Sequence, residues 1–599
     1  MSEAATSTMA PPITVRRPRL RPRLIPPLVV LALLPFLPFA ITVSDYTLNI
    51  LMQATTYAMP VLGLAIVLGY TGQINLAQAA FFGLGAYAVA LVTVTLGQSF
   101  WIGLPIGVAL AAGLGFVLGL TTLRLGGHYL AMITISFQQI FDLVLNNWIA
   151  VTRGPDGIAG IARPSLFGWV LADARTYLVL CAAVLYAMVA FVWWLPSTRL
   201  GRAMRAVREN ELAAEVTGVH TLRVKVVAFT ISSALAGMGG VLFAAGFAYV
   251  SPDNFSFGRS VEFLTMVLLG GVQSPIGAAL GTVLLILLPE WLRFLKGIYL
   301  AVYGLAVILI MVFMPECIWG LIQTVWKRLA RPAPVEVGRV RPLELDIPVA
   351  DTSPILHLRE VRKHFGGVKA VAGVDIQVSR GTVHALIGPN GSGKTTILNV
   401  LNGIYRPTAG GIVLDGEDVT GRSPHERAGR GLGRTFQNIR LFSALSALEN
   451  VMVGAQRDGN PLPPGNAALR ERALSALGFV GLADRAHLVV KNLPYGHQRL
   501  VEIARALAGH PKLLLLDEPA AGLNPVEKQS LVELLKRLRS AHGLTIFLIE
   551  HDMGLIEQVS DRISVINFGK KIAEGAPAEV LRHPDVIAAY LGTPGHAAA

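Results

Sequence analysis

Cysteine is almost missing. Cys181 and Cys317 are the two in 599 residues, and both lie in apolar runs. Two such residues supply neither a disulfide framework nor the paired spacing of a zinc site, so they read as small buried hydrophobes. Charge is scarce as well: Asp, Glu, Lys and Arg make up 15% of the chain, against about 25% in an ordinary soluble protein. Acidic residues are the scarcer kind, with 38 Asp and Glu against 51 Lys and Arg, a formal net charge of +13. No small-residue cleavage site follows the arginine-rich start, so a removable secretory leader is not expected.

The deficit in charge is uneven. Up to about Trp326 long apolar runs dominate, and beyond it the chain reads like a soluble α/β domain. The mean hydropathy of +0.55 averages the two. The basic excess sits beside the apolar runs, at Arg16, Arg17, Arg19, Arg21 and Arg23, at Arg199, Arg202, Arg205 and Arg208, and at Lys327, Arg328 and Arg331. Lys and Arg next to spans mark the cytoplasmic side of a membrane. The charge is therefore assigned to a lipid membrane, and nucleic acid is not expected as a partner.

Apolar runs fall near residues 25–43, 47–69, 76–96, 101–123, 129–151, 176–195, 224–250, 261–292 and 298–320. Most have the ~20 residues that a helix needs to cross the hydrocarbon. Nine runs conflict with two cytoplasmic ends, which demand an even number of crossings, eight or ten. The run 261–292 is long and broken at Gly270-Gly271-Val272-Gln273-Ser274-Pro275, so it is expected to form two shorter helices or a re-entrant hairpin. On this assignment residues 152–175 and 251–260 face outward and 196–223 inward. The inward loop is the most charged, and Gly201 to Glu215 is expected to form one helix ending near Gly218. Glycines such as Gly113, Gly115, Gly119, Gly237 and Gly240 are expected to serve close helix packing. Gln73, Asn75 and Gln78 interrupt an apolar context, and Asp142 does the same further on. Two readings stay open for them: a lining for a solute path, or links between helices.

Residues 327–354 mix Arg, Pro and Val without a period and read as an exposed tether. After them comes Gly388-Pro389-Asn390-Gly391-Ser392-Gly393-Lys394-Thr395, preceded by the apolar strand Val383 to Ile387 and followed from Thr396 by a helix. This is the phosphate-binding loop pattern. Its glycines let backbone N–H groups face phosphate oxygens, Lys394 neutralises β/γ-phosphate charge, and Thr395 can hold Mg2+. A second apolar strand, Leu513 to Leu516, ends in Asp517-Glu518: the first fits a metal-holding role, the second a base that polarises water. Gln437 follows Arg434-Thr435-Phe436 and offers an amide to metal or water. His551 follows a third apolar strand, Thr545 to Ile549, and is placed to contact a γ-phosphate. Asn492 to Arg499 precedes a helix whose N-terminus can receive phosphate.

These pieces, in this order, resemble the ATP-binding cassette family from about Ile355 onward. The resemblance implies ATP and Mg2+ as cofactors. It assigns Phe365 to adenine stacking, Gly388 to Thr395 with Thr396 to the Walker A loop, and Gln437 to the Q-loop. Asn492 to Gln498 becomes the signature region, with Tyr495, Gly496, His497 and Gln498 reaching nucleotide across a dimer. Asp517 falls to Walker B, Glu518 to the catalytic base, Ala521 to Pro525 to the D-loop and His551 to the switch histidine. Pro494 stands where the family commonly has serine, and Tyr495 where it has glycine.

Leu493 to Arg499 and Asp517 to Pro525 look like the ATPases of branched-chain amino-acid uptake systems. Gly69 to Tyr87 and Arg205 to Ala214 look like their permeases. The expected architecture is therefore a cytoplasmic tail at 1–24, an N-terminal all-α polytopic membrane domain at 25–326 acting as permease, the linker 327–354, and a C-terminal α/β P-loop nucleotide-binding domain with a helical subdomain at 355–599. The resemblance implies ATP-driven uptake of branched-chain amino acids or similar solutes across the inner membrane. Its partners would be a second permease and a second ATP-binding subunit, or a second copy of this chain, with a periplasmic solute-binding protein. A homodimeric exporter half-transporter and an ATP-driven signalling assembly are the rival readings.

Overall fold

The structure is a computed structural model. It describes residues 44–298, 340–345 and 353–591, apart from 124–127, 167–168, 172 and 457–465, and also 301–302, 304–305, 308–309, 319–320 and 324. The arginine-rich start, the run 25–43 and most of 298–320 lie outside the described residues. The chain divides into two compact units. One gathers Glu209–Thr221 with the described residues from 340 onward; the other holds those of 44–208 and 222–324.

Among the described residues seven helices are long and apolar enough to cross a membrane. Ser44 caps the first, α1 (Asp45–Leu64), by accepting from the Thr47 N–H, and π-helical geometry carries it to Tyr70. Then come α2 (Gln78–Ala90), α3 (Phe100–Thr122), α4 (His128–Asn147) and α5 (Ala174–Trp194). Two short helices follow, α6 (Arg199–Glu209) and α7 (Glu211–Val216), and then α8 (Thr221–Phe247). The broken run appears as two helices, α9 (Phe257–Gly270) and α10 (Pro275–Leu292), parted at Gly271–Ser274. Gly271 has φ +119 and the Ser274 side chain caps α10 through the Gly277 N–H.

Glycine packing is largely as expected. A Cβ on Gly240 would stand 1.8 Å from the Phe82 carbonyl oxygen, and one on Gly85 2.0 Å from that of Gly237, so α2 and α8 meet backbone to backbone. Gly113 differs, with open space where its side chain would be. The first segment expected to face outward pairs with the residues just before the second, Ile158 with Val250 and Ala159 with Tyr249.

The gap between α1 and α2 answers the question of the buried amides. Residues 72–77 leave the helix, and the freed N–H groups need acceptors, because hydrocarbon supplies none. The Asn75 Oδ1 accepts from Ala77 N, Thr134 Oγ1 from Leu76 N, Ser260 Oγ from Ala79 N and Gln138 Oε1 from Ala80 N, at 2.9–3.2 Å. Gln78 donates to the Pro60 carbonyl at 2.8 Å and accepts from Asn75 Nδ2 at 2.8 Å. Asn75, Gln78, Thr134, Gln138 and Ser260 are all fully buried. For Asn75 and Gln78, linkage between helices is the reading their hydrogen bonds support; the buried Gln73 Oε1 has no partner among the described residues.

The other unit begins its main fold with β1 (Pro354–Phe365) and β2 (Val368–Ser379), an antiparallel pair extended by β4 (Ala409–Leu414) and β5 (Glu417–Asp418). The second sheet has the order β6-β7-β8-β3-β9-β10, with β3 (Val383–Ile387), β6 (Leu432–Arg434), β7 (Leu513–Asp517), β8 (Thr545–Ile549), β9 (Arg562–Asn567) and β10 (Lys570–Gly575). All neighbours run parallel except β9 and β10. β3, β7 and β8 are buried at every residue, as strands covered on both faces must be. A helical subdomain of α13 (Ala447–Gly454), α14 (Asn466–Phe479) and α15 (Tyr495–Leu507) shares an apolar core with α16 (Pro525–His542) and the sheet. Residues 340–345 of the expected exposed tether are docked here: Leu343 joins that core and Arg341 pairs with Glu471 at 2.7 Å.

Candidate active site

Parallel strands place their C-terminal ends along one edge of the sheet, where ligands of open α/β folds bind. β3 ends at Ile387, and the chain turns through Gly388, Gly391 and Gly393 at φ +154, +80 and +105 into α11 (Lys394–Leu401). Side chains do not fit two of these positions. A Cβ on Gly388 would lie 2.1 Å from the Ile566 carbonyl oxygen, and one on Gly393 2.4 Å from that of Ala370. Lys394 folds back over the loop and donates to the carbonyls of Gly388 and Pro389 at 2.7 and 3.0 Å. Burial holds its ammonium below the usual lysine range, against the pull of Glu518 and Asp517. Asn390, Gly391 and Thr395 are exposed, and Thr396 is half-buried.

The neighbouring strand β7 delivers Asp517, buried, with Oδ2 3.5 Å from Arg434 Nη2 and Oδ1 without a hydrogen bond. Burial raises its carboxyl above the usual aspartate range, and Arg434 draws it back only in part. Ser392 Oγ is a second buried oxygen with no partner. Such atoms cost stability in a finished core; here they stand beside a loop of phosphate-binding shape, and a hard cation takes oxygen donors of this kind. The residues present fit a magnesium–nucleotide.

Glu518 follows with φ +46, a left-handed conformation rare outside glycine. Both its oxygens are held: Gln437 Nε2 donates to Oε2 at 2.8 Å, and His551 Nε2 lies 2.9 Å from Oε1. Three residues from separate parts of the sequence thus meet at one carboxylate. The buried Glu550 fixes what surrounds them, accepting from Ala520 N at 2.7 Å and His551 N at 2.9 Å.

Family models fit this arrangement on both sides of the chain. One for the branched-chain amino acid transport system permease component matches residues 46–315. One for ABC transporters matches residues 371–521, and one for the branched-chain amino acid ATP-binding cassette transporter matches residues 570–596. The high-affinity branched-chain amino acid transport ATP-binding protein BraF of Pseudomonas aeruginosa is 45% identical over 250 residues, 40% of this chain and 98% of that protein. LivG of Escherichia coli K12, with the same description, is 41% identical over 252 residues, 40% of this chain and 99% of its own.

The chain belongs to the branched-chain amino-acid family of ABC transporters.

Its membrane unit carries the other half of the likeness: the permease protein LivM of Escherichia coli K12 is 36% identical over 297 residues, 46% of this chain and 70% of that protein. One polypeptide therefore holds a transporter's membrane-embedded permease and its ATP-hydrolysing cassette.

The residues expected to form the signature lie at the start of α15. Pro494 is the N-cap of α15 and offers no side-chain cap, so the N–H groups of the first turn rely on other acceptors. A Cβ on Gly496 would meet Glu527 Oε1 at 2.3 Å, and the exposed Tyr495 ring covers Gly522. His497 lies against Arg485, with Nδ1 2.6 Å from Nη1, and Gln498 Nε2 donates to the Leu493 carbonyl at 2.8 Å. Phe365, at the end of β1, is 43% exposed and meets Tyr405 edge to face at 5.2 Å, with the Lys363 ammonium 4.9 Å from its ring centre, an aromatic and cationic corner at the cassette surface.

Sequence reading missed the charges that hold the Q-loop. Arg499, Glu502 and Arg505 are buried on α15. Arg499 donates to the carbonyls of Phe436 and Gln437 at 2.6 and 2.8 Å, Arg505 donates to that of Arg440 at 2.6 Å, and Glu502 accepts from Arg440 N at 3.1 Å. The helix that opens with the signature thus grips the loop that carries Gln437. Charges interleaved with Val501, Ile503 and Ala504 on an otherwise apolar helix were the available signal. Tyr405 gave none, being 40 residues from Phe365.

The expected helix Gly201 to Glu215 is two helices. Asn210, with φ −158 and ψ 102, breaks it and caps α7 by accepting from Ala213 N at 2.9 Å. Arg205 donates to the Pro196 carbonyl, and Glu209 accepts from Ser443 Oγ at 2.5 Å. The segment 209–221 belongs to the cassette unit: α7 packs on α12 (Pro424–Gly429), and the His220 and His425 rings lie 4.4 Å apart. Gly218, at φ +99, ends α7 by donating to the Glu215 carbonyl.

Proposed function

We propose that this chain is the fused permease and ATPase of a binding-protein-dependent importer for branched-chain amino acids or similar small solutes in the bacterial inner membrane. The observation that carries the reading is the convergence of Gln437 and His551 on Glu518, beside the Lys394 loop, in one polypeptide with seven membrane-length helices. The docking of residues 209–221 on the cassette supports mechanical coupling.

The residue roles follow from position. Backbone N–H groups of Gly391 to Thr395 and the Lys394 ammonium bind phosphate oxygens, with Asn390, Ser392 and Thr396 at the rim. Phe365 takes the base. Thr395, Asp517 and Gln437 would hold Mg2+, which when bound neutralises charge on the β- and γ-phosphates. Glu518 orients and deprotonates water, and His551 steadies the γ-phosphate side. Tyr495, Gly496, His497 and Gln498 would meet nucleotide on a second cassette, through backbone donors at the α15 N-terminus. That second cassette, a second permease and a periplasmic binding protein complete the assembly; a pair of copies of this chain is the simpler alternative. ATP's preference for closed cassettes shifts the permease between its two states, and hydrolysis restores the first.

The test is transport in lipid vesicles with companion subunits supplied. Radiolabelled leucine should accumulate only with Mg-ATP on the cassette side and the binding protein on the other. Efflux without any binding protein would establish the exporter reading instead.

A further inference from the structure

The helix α4 is the membrane unit's most exposed long helix, and its exposed side is not all apolar. Gln139, Asp142 and Asn146 follow one another at three and four residues, one stripe along the helix. Gln139 sits near its middle, is exposed, and makes no hydrogen bond among the described residues. Asn146 is exposed and donates only to the Asp142 carbonyl of its own helix at 2.9 Å. Asp142 is half-buried and accepts from Gln138 Nε2 at 3.0 Å. The stripe borders α9 through Gln138, whose Oε1 accepts from Ser260 at 3.1 Å. α9 in turn exposes Glu262, paired with Arg259 at 2.5 Å.

Lipid is a poor neighbour for such a stripe, since an amide with no partner at membrane depth is costly and marks a solute or ion path. α3 shows what a lipid-facing side looks like in this chain: Ile106, Leu110, Leu114 and Val117 are all exposed, with no polar residue among them. In the α1–α2 gap the amides of Asn75 and Gln78 are paired on both sides, so their polarity is spent within the fold, although the buried Gln73 Oε1 beside them has no partner; the exposed amide of Gln139 makes no hydrogen bond among the described residues. We infer that Gln139, Asp142 and Asn146 form part of the wall of the solute path, facing water and a solute with both donors and acceptors, such as an amino-acid zwitterion. This rests on the importer reading for the identity of the solute, but not for the exposure to water.

The experiment places single cysteines, Gln139→Cys and Leu114→Cys, in a full-length chain with Cys181→Ala and Cys317→Ala, assembled with its companion subunits in lipid vesicles. A hydrophilic, membrane-impermeant maleimide reports water access. Gln139→Cys should label at least tenfold faster than Leu114→Cys, and millimolar leucine should slow it at least threefold. Labelling as slow as at Leu114→Cys would overturn the inference, assigning the stripe to lipid or a dry subunit contact. Fast labelling unmoved by leucine, in an assembly that still imports leucine, would overturn it too. As a second readout, Gln139→Leu should lower leucine uptake at least tenfold at equal membrane expression; unchanged uptake contradicts the inference. Failure of the parent assembly to import leucine would sink the importer reading, while the labelling ratio alone would still decide whether the stripe meets water.

Discussion

Two polar regions of this chain are handled in opposite ways. In the α1–α2 gap, Asn75 and Gln78 bond each other, and Asn75 and Gln138 accept from the backbone N–H groups of Ala77 and Ala80. At the strand ends of the cassette, Asp517 Oδ1 and Ser392 Oγ are left without partners, and Glu518 sits in a left-handed conformation. Both regions are buried, so burial does not separate them. The difference is what arrives later. Nothing from hydrocarbon can complete the gap, so the fold must complete it, whereas a nucleotide with its metal brings ligands of its own.

The comparison can be broken on the nucleotide side at Lys394. Lys394→Ala removes the cation over the phosphate loop, and nucleotide affinity should fall by roughly 2–3 kcal/mol, ~30- to 150-fold, as for loss of a hydrogen bond to a charged group; titration with a fluorescent ATP analogue checks this. Arg499→Ala, in the triad that grips the Q-loop, leaves Glu502 with one guanidinium fewer. Breaking a buried pair costs about 3–5 kcal/mol, so the melting temperature of the cassette should drop sharply and Gln437 lose its position. A Glu502→Gln variant should soften the loss in stability while still slowing hydrolysis. Gln78→Leu tests the paired amides: it strands Asn75 Nδ2, and unfolding in detergent should become easier by about 1–3 kcal/mol. The smallest effect is at Asn210. Asn210→Ala removes the cap of α7, worth about 1 kcal/mol, and should lower leucine imported per ATP hydrolysed more than it lowers hydrolysis itself.

The cassette was far more legible in the sequence than the membrane unit. Glycine spacing, apolar strands ending in carboxylates, and a histidine after a strand each encode a local geometry, so Gly388 to Thr395, Asp517, Glu518 and His551 appear at the predicted ends of β3, β7 and β8. The motifs single out Gln437, Glu518 and His551 separately, but not that they touch. The clamp of Arg499, Glu502 and Arg505 went unread because charge in a helix usually means a solvated face. In the membrane unit the helices followed from run length, and the break near Gly271 from its glycines, but partners of Gln78 and Gln138 such as Pro60, Ala80 and Phe255 come from segments well apart in sequence. The split at Asn210 was missed although asparagine is a strong cap, because the helical period continues across it.

Glu518 carries the central claim, that the cassette's hydrolysis drives solute inward through the permease of the same chain. In lipid vesicles with the companion subunits, Glu518→Gln should still bind and retain ATP, while steady-state hydrolysis falls by ~100-fold or more, the scale expected when a general base is removed, and leucine uptake is lost with it. Hydrolysis undiminished in that variant, or uptake continuing after hydrolysis has stopped, would contradict the account.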